Sequence, residues 1–306
     1  MTGRTPTRPK SRTAPVATIG GIRTRVLESD GGGSTVLLIH GYSDSADGWR
    51  AVMDRVAEAG HRAVAVDLPH HGRAERPSGT SFFAVIDDFI AAAVVKYGAG
   101  ADVMVVGTSV GGTSALRVAQ RAGLPLAAVL AIGPAGLVTP VWMKLAHRAT
   151  PACRWLLGLG GRTVLRGTNT APALISAGFA RAVAGGHMSA DAKAQYASHW
   201  GPGDLRRQLL LGGPTIAELI DPTVLDARPF HVPVTVVWGA RDWISPARGA
   251  AELRLSHPEV VTRVLEGSGH CPQYDRPDLV ADLIADVHRG SAHNARNGHV
   301  LQEEDL

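Results

Sequence analysis

Short apolar segments alternate with longer amphipathic segments along most of this chain, and this alternation restricts the fold more than any other feature of the sequence. Short β-branched runs predict buried strands, and apolar residues at helical spacing predict helices between them. Such an alternation is typical of a parallel sheet that is covered by helices on both faces. The predicted strands are Ala17–Ile22, Thr24–Glu28, Thr35–His40, Ala63–Asp67, Val103–Val106, Ala127–Ile132, Val234–Trp238 and Val260–Leu265. The predicted helices are a segment from Trp49 to Ala57, Phe82–Tyr97, Val110–Arg121, Pro246–Leu255 and Pro277–His288.

The alternation stops in residues 135–230, which are rich in Ala and Leu, are punctuated by Gly and Pro, and have no clear strand pattern. A segment of this length inside a compact domain is usually functional. We therefore expect an α/β core built from residues 17–134 and 231–289, with residues 135–230 inserted as a helical cap. We expect residues 1–16 to form a disordered basic tail and residues 290–306 to form a polar tail.

Composition and charge argue against several classes of protein. The 306-residue chain is 45% hydrophobic and 19% charged, which is typical of a globular domain. Its net charge of +4 arises at the N-terminus, since residues 1–25 hold six basic residues and no acidic one. A basic tail without interleaved aromatic residues does not indicate a nucleic-acid-binding protein.

The sequence also predicts where the protein resides. No apolar run of about 18 residues is present, so we expect no membrane span. The basic N-terminus is not followed by the apolar segment of a secretion signal. Cys153 and Cys271 do not form a C-x-x-C motif, and no disulfide framework is indicated. We therefore expect a cytoplasmic protein, and the sequence does not predict its oligomeric state.

Residues Gly107-Thr108-Ser109-Val110-Gly111 match the pattern G-x-S-x-G between a predicted strand and a predicted helix. This context matters more than the pattern, because a sharp strand-to-helix turn lifts the serine hydroxyl above the edge of the sheet. Glycines beside the serine avoid clashes across the turn. The helix that follows directs N–H groups towards developing negative charge. Ser109 is therefore the candidate nucleophile.

A serine hydroxyl needs a base to accept its proton, and the base needs an acid to orient it. His270 follows the strand Val260–Leu265, and Asp242 follows the strand Val234–Trp238. Open α/β sheets place their functional sites at these carboxyl ends. The chain order of serine, acid and histidine also agrees with a hydrolase of this architecture. Ser109, Asp242 and His270 are therefore the predicted catalytic triad.

At this point the chain resembles the α/β-hydrolase superfamily, in its capped, carboxylesterase-like form, over residues 17–134 and 231–288. The resemblance is carried by His40-Gly41-Tyr42, Asp67-Leu68-Pro69-His70-His71-Gly72-Arg73, the Ser109 turn, Gly239-Ala240-Arg241-Asp242 and Gly267-Ser268-Gly269-His270. It implies a mostly parallel, eight-stranded sheet with helices on both faces and an inserted helical cap.

The resemblance also implies an oxyanion hole formed by the backbone N–H groups of Tyr42 and Val110. His40 is expected to brace its loop. His70 and His71 are expected to shape theirs; His70 stands where the family usually has glycine. We expect neither a metal ion nor a cofactor, because no H-E-x-x-H motif or Cys/His cluster is present.

Four tryptophans could line a pocket for an apolar group, although packing is the simpler explanation for each of them. They are Trp142, Trp155, Trp200 and Trp243. Trp243 follows the predicted acid directly and is therefore the candidate pocket residue. Cys271 follows the predicted base and is assigned to packing.

The serine limits the reaction. Haloalkane dehalogenases and epoxide hydrolases of the superfamily use aspartate at the position of Ser109, so neither is expected. Hydrolysis of a carboxylic ester on a small or medium, mainly apolar substrate is the leading hypothesis. Carbon–carbon bond hydrolysis, or another cofactor-free reaction of the triad, stays open although Thr108 and Cys271 depart from the usual pattern. A non-hydrolytic receptor on the same fold also stays open. An apolar cavity at Ser109 would favour acyl esters, and a polar one with arginine would favour acidic substrates.

Overall fold

The structure, a computed structural model, describes most of the chain. The described residues are 15–77, 81–100, 102–159, 177–178, 180–181, 183, 188–198, 200 and 204–297, with only the backbone described for 153–159, 204–206 and 292–297. The predicted basic tail lies outside the described residues except for its last two positions. The predicted insertion is described in part.

Eight strands form one sheet in the order β1-β2-β4-β3-β5-β6-β7-β8. They are β1 Val16–Ile19, β2 Ile22–Glu28, β3 Thr35–Ile39, β4 Arg62–Val66, β5 Val103–Thr108, β6 Leu126–Ile132, β7 Val234–Gly239 and β8 Val261–Leu265. The two N-terminal strands pair antiparallel, β1 with β2 and β2 with β4. All other neighbouring strands pair in parallel. The predicted eight-stranded, mostly parallel sheet is therefore confirmed.

Helices cover both faces of this sheet. They are α1 Arg50–Glu58, α2 Phe82–Tyr97, α3 Val110–Ala119, α4 Val141–Leu159, α5 Ala190–Ser198, α6 Asp204–Leu219, α7 Gly249–Ser256, α8 Pro272–Asp275 and α9 Pro277–Asn297. Alternate strand residues bury their side chains on opposite faces, as the two-residue repeat of a strand requires. Leu37 and Ile39 of β3 pack in the cluster that includes α2 and α3. Val36 and Leu38 pack in the cluster that includes α1 and α9.

The predicted strands and helices of the core are observed, and the differences lie mainly in the residues at which they begin and end. Strand β5 continues to Thr108, so Ser109 is the only residue between β5 and α3. Helix α7 begins at Gly249 rather than at Pro246. Helix α9 extends nine residues past the predicted end at His288, into residues that we expect to form a polar tail. The extension contains no proline, and one glycine costs a helix only about 1 kcal/mol.

Residues 133–233 connect β6 to β7 and contain helices α4, α5 and α6. We call this stretch the β6–β7 segment. Its side chains contact loops at the carboxyl edge of the sheet. The Gln208 amide nitrogen donates to the His70 carbonyl oxygen over 3.3 Å, and the Tyr196 hydroxyl donates to the Ser43 carbonyl oxygen over 2.9 Å. Among the described helices, none combines the length and apolar character that a membrane-spanning helix needs.

Candidate active site

Ser109 lies in a strained turn between β5 and α3. Its backbone adopts φ 55° and ψ −124°, a left-handed conformation that costs an L-residue on the order of 1–3 kcal/mol. Side chains would not fit at the neighbouring glycines, because Gly107 packs against the Gly111 backbone, and Gly111 packs against His40 and Ile39. These contacts explain the spacing of the glycines in the G-x-S-x-G pattern.

Hydrogen bonds hold this turn from both sides. The Ser109 N–H donates to the Ile132 carbonyl oxygen at 2.9 Å, which ties the turn to β6. The Thr113 N–H donates back to the Ser109 carbonyl oxygen at 3.0 Å. The Thr113 hydroxyl donates to the Ala135 carbonyl oxygen at 2.6 Å. The surrounding structure therefore fixes the strained position of Ser109, whose residue surface is 8% exposed.

The structure brings His270 and Asp242 together. Nδ1 of His270 lies 2.7 Å from Oδ2 of Asp242, and both side chains are buried. The other carboxylate oxygen, Oδ1, accepts the N–H groups of Ile244 at 2.9 Å and Ser245 at 2.8 Å. Because the loop after β7 supplies these donors, the carboxylate is oriented with Oδ2 towards the imidazole. The arrangement fixes the tautomer in which Nδ1 carries the proton and Nε2 is free to act as a base.

Gly133 connects this pair to the Ser109 turn, and sequence reasoning missed it. It follows β6, next to the residue that accepts the Ser109 N–H, and it has φ +50°. A Cβ atom at Gly133 would lie 2.9 Å from Oδ2 of Asp242 and 3.3 Å from Nδ1 of His270. The sequence feature that could have identified Gly133 is a glycine directly after a predicted buried strand. Glycine is required here because the acid–base pair packs against its backbone.

The loop of residues 40–45, which we call the 40–45 loop, lies against Ser109. A Cβ atom at Gly41 would lie 3.0 Å from the Ser109 Cβ atom. His40 is fully buried, and its Nε2 accepts the Leu68 N–H at 2.9 Å. Its Nδ1 therefore carries the proton and donates to the Gly41 carbonyl oxygen at 2.7 Å. These two bonds brace the loop that carries Tyr42.

A buried ion-pair network, also missed from the sequence, supports the neighbouring loop after β4. Arg25 donates to both oxygens of Asp67, at 2.9 and 3.0 Å, and lies 2.7 Å from Asp47. Burial alone would raise the pKa of Asp67, but the Arg25 guanidinium outweighs burial and holds that pKa below its usual value. Asp67 also accepts the N–H groups of Ala46 and Arg73 at 2.8 Å.

His70 and His71 follow on the same loop. His70 has φ 70°, a left-handed conformation that favours glycine, which agrees with the glycine that the family resemblance implies at this position. His71 is buried, and burial lowers its pKa to about 3, so its ring is neutral. Its Nδ1 bonds the Pro69 carbonyl oxygen at 2.9 Å. Within the described residues, no group of three or more His, Cys, Asp or Glu side chains is arranged to hold a metal ion.

Asp44, another buried carboxylate beside the site, was not predicted. Its Oδ1 accepts the Tyr274 hydroxyl at 2.7 Å and the Ser45 N–H at 2.8 Å. Its Oδ2 is buried without a hydrogen-bond partner among the described residues. Burial therefore raises the pKa of Asp44 to about 7, against the opposing effect of the two donors. Tyr274 lies four residues after His270, so the bond joins the segment that follows His270 to the 40–45 loop.

A small crevice lies between these loops and the β6–β7 segment. Its lining residues are Ser43, Asp44, His70, Gly72, Arg76, Trp200 and Gln208. Ser109 and His270 do not line it, so this crevice says nothing about the group that Ser109 would attack.

The other residues singled out from the sequence are tryptophans and cysteines. Trp243, the predicted pocket residue, is 52% exposed and packs edge-on against Trp142 with ring centroids 5.9 Å apart. Trp200 packs near Tyr196. Cys271 is a buried free thiol. The side chains of Trp155 and Cys153 lie outside the described residues.

Several known proteins are similar to this chain in sequence or in fold. A protein from Mycobacterium tuberculosis, itself uncharacterised, is 26% identical over 286 residues, which is 87% of this chain and 78% of that protein. A thermophilic esterase from Thermogutta terrifontis superposes with a TM-score of 0.69 at 18% identity, covering 92% of this chain and 99% of the esterase. An epoxide hydrolase from Vigna radiata gives a TM-score of 0.70 at 18% identity, over 91% and 98% of the two chains.

The model of the alpha/beta hydrolase family matches residues 36–283, which contain the Ser109 turn and the His270–Asp242 pair. This match spans well over half of the chain and supports a hydrolase that acts on a small molecule. The chain therefore belongs to the alpha/beta hydrolase family.

Proposed function

We propose that this protein is a serine hydrolase that cleaves a carboxylic ester of a small or medium, mainly apolar substrate. The observation that carries the proposal is the hydrogen bond between His270 and Asp242, packed on Gly133 beside the strained turn of Ser109. A strained serine, an oriented imidazole and a buried carboxylate are the parts that acyl transfer through a covalent intermediate requires.

In the first half-reaction, the Ser109 hydroxyl attacks the ester carbonyl while Nε2 of His270 accepts the hydroxyl proton. Asp242 holds the proton on Nδ1 and stabilises the imidazolium that forms. The tetrahedral intermediate collapses when the imidazolium gives its proton to the leaving alcohol. Water then attacks the acyl-enzyme with the same proton transfers, which releases the acid and restores Ser109.

The negative charge of each tetrahedral intermediate would be stabilised by the N–H groups of Val110 and Tyr42. Val110 is the first residue of α3, and the first N–H groups of a helix have no acceptor within that helix. Tyr42 follows Gly41, whose backbone packs against the Ser109 side chain. Each such donor is worth on the order of a hundredfold or more in turnover.

Initial rates on p-nitrophenyl acetate and butyrate test this function. Ser109→Ala should lower kcat by about a thousandfold or more, because the acyl-enzyme no longer forms. Ser114→Ala is the matched control, since Ser114 is also buried and lies one turn further along α3. Undiminished hydrolysis by Ser109→Ala would overturn the proposal. If the protein turned over vinylogous diketones but no ester, the proposed reaction would be carbon–carbon bond hydrolysis instead of ester cleavage.

A further inference from the structure

Four large apolar side chains form an exposed patch at the start of the β6–β7 segment. Val141 is 72% exposed, Trp142 37%, Leu145 57% and Trp243 52%. The two indole rings meet edge to face at 5.9 Å, so α4 and the loop after β7 share one surface. We call these four residues the docking patch. Single exposed apolar residues are ordinary, but two adjoining tryptophans with two aliphatic neighbours mark a surface for interaction.

Helix α4 presents this patch because its other face is anchored in the core. Met143 is 2% exposed and packs in the same cluster as Trp238. Side chains three and four residues apart share one face of a helix. Val141 and Leu145 therefore lie beside Lys144 and Arg148, and all four are exposed. The first turns of α4 are amphipathic, with apolar and cationic residues together on the outside.

Positively charged residues predominate in the sequence segments that carry the docking patch. Residues 103–190 contain no Asp and no Glu. Residues 141–190 contain six basic residues, two of which are Lys144 and Arg148. Arg241 and Arg248, both exposed, lie close to Trp243 in the chain. A surface that combines exposed tryptophan, aliphatic residues and an excess of Lys and Arg matches an anionic lipid headgroup layer above hydrocarbon.

We propose that the docking patch seats this protein on the surface of an anionic phospholipid bilayer. Trp142 and Trp243 would enter the headgroup region, where indole rings are favoured, and α4 would lie in the plane of the interface. Lys144 and Arg148 would contact the phosphates.

This position has a consequence for the substrate. Trp243 follows Asp242 directly, so the docking patch adjoins the loop that holds the proposed catalytic acid. An apolar ester dissolved in the bilayer would then enter from the membrane side. The docking itself does not depend on catalysis, and the binding test therefore uses Ser109→Ala protein. If the protein proves not to hydrolyse esters, the vesicle-binding test is still valid. If it does not bind vesicles, the test of ester hydrolysis is still valid.

Sedimentation of the full-length chain with vesicles tests the proposal. One set of vesicles contains phosphatidylcholine alone, and the other contains about one third phosphatidylglycerol, whose charge attracts Lys and Arg. We expect binding to the anionic vesicles, with binding that weakens as salt is raised. Lys144→Glu with Arg148→Glu should weaken binding about tenfold or more, and Lys96→Glu with Arg254→Glu, on other helices, should weaken it much less.

The apolar contribution needs its own pair of variants. Trp142→Ser with Trp243→Ser should reduce binding about tenfold or more, since both indoles leave the interface. Val95→Ser with Leu255→Ser removes two other exposed apolar side chains, 57% and 83% exposed, and should leave binding unchanged. Absence of vesicle binding, or equal loss in the patch and control variants, would overturn the proposal. So would a concentration-dependent dimer that the tryptophan variant abolishes without any vesicle binding, because the patch would then seat a second copy.

Discussion

The loop after β7 and the 40–45 loop after β3 each bury an aspartate beside the proposed catalytic centre, but they hold the two carboxylates differently. Asp242 accepts hydrogen bonds on both oxygens, from Ile244, Ser245 and His270. Asp44 accepts both of its bonds on Oδ1, from Tyr274 and Ser45. Its Oδ2 has no partner in the part of the chain that the structure describes.

This difference agrees with the proposed role of Asp242 in orienting the base, and it favours a proton on Asp44. Asp242 directs one oxygen at an imidazole because backbone donors occupy the other. Burial, helped by the nearby carboxylates of Asp47 and Asp67, raises the pKa of Asp44 to about 7. Residue type and burial alone therefore do not define the role of a carboxylate, and the number and placement of its donors do.

Removing the charge of Asp242 should have the largest effect. In Asp242→Asn, the amide would favour the wrong tautomer of His270, and kcat on short esters should fall by roughly a thousandfold to ten-thousandfold. Ester kinetics measure this loss, and circular dichroism verifies the fold. Asp44→Asn, assayed in parallel, should keep kcat within about threefold, because Asp44 does not contact His270. Equal losses of kcat in the two variants would contradict the different roles assigned to Asp242 and Asp44.

Gly133→Ala should disturb the Asp242–His270 pair without removing either side chain. The added methyl group would lie 2.9 Å from Oδ2 of Asp242, so the pair must move. A displacement of about 1 Å costs on the order of a hundredfold in rate, and we expect kcat to fall by about 10- to 100-fold. Gly123→Ala is the matched control, since Gly123 also has a positive φ but has open space around it. Wild-type kcat in Gly133→Ala would contradict the assigned packing.

Asp44 should make the free energy of unfolding depend on pH. The folded protein keeps the Asp44 proton up to about pH 7, whereas an unfolded aspartate loses it near pH 3.9. Between these values the folded state binds more protons, so the stability that this proton provides is lost as pH rises.

Asp44→Asn should therefore lose less stability than wild type between pH 4 and about 7, and it should be the more stable protein at pH 8 by about 1–3 kcal/mol. Urea denaturation at several pH values measures the difference. The exposed Asp282→Asn variant should follow wild type. Parallel curves for wild type and Asp44→Asn would show that Asp44 is ionised throughout and would remove the contrast with Asp242.

Loss of the Tyr274 hydroxyl should have the smallest effect. Tyr274→Phe removes one donor from Asp44, which should cost about 1 kcal/mol of stability and raise the pKa of Asp44 further. Tyr97→Phe, at another buried tyrosine, serves as the control for loss of a hydroxyl. Urea denaturation at pH 6 and pH 8 measures both variants. An unchanged midpoint for Tyr274→Phe would indicate that the bond to Asp44 contributes nothing.

The sequence predicted the sheet and the main candidates because both depend on local pattern and chain order. Alternating apolar strands and amphipathic helices fix the α/β architecture, and the strand-to-helix context identifies Ser109. The supporting interactions could not be predicted in this way. Tyr274 and Asp44 are 230 residues apart, and Arg25 and Asp67 are 42 apart. No periodicity relates such partners, and only the folded sheet brings them together.

The most direct test of the serine mechanism is the site at which a fluorophosphonate reacts. After brief reaction, peptide mass mapping should find the phosphonyl adduct on Ser109, and Asp242→Asn should react about a thousandfold more slowly because His270 no longer activates the serine. Ser114→Ala should label like wild type. An unlabelled Ser109 in protein that still hydrolyses esters, or labelling that Asp242→Asn does not slow, would contradict the proposed triad.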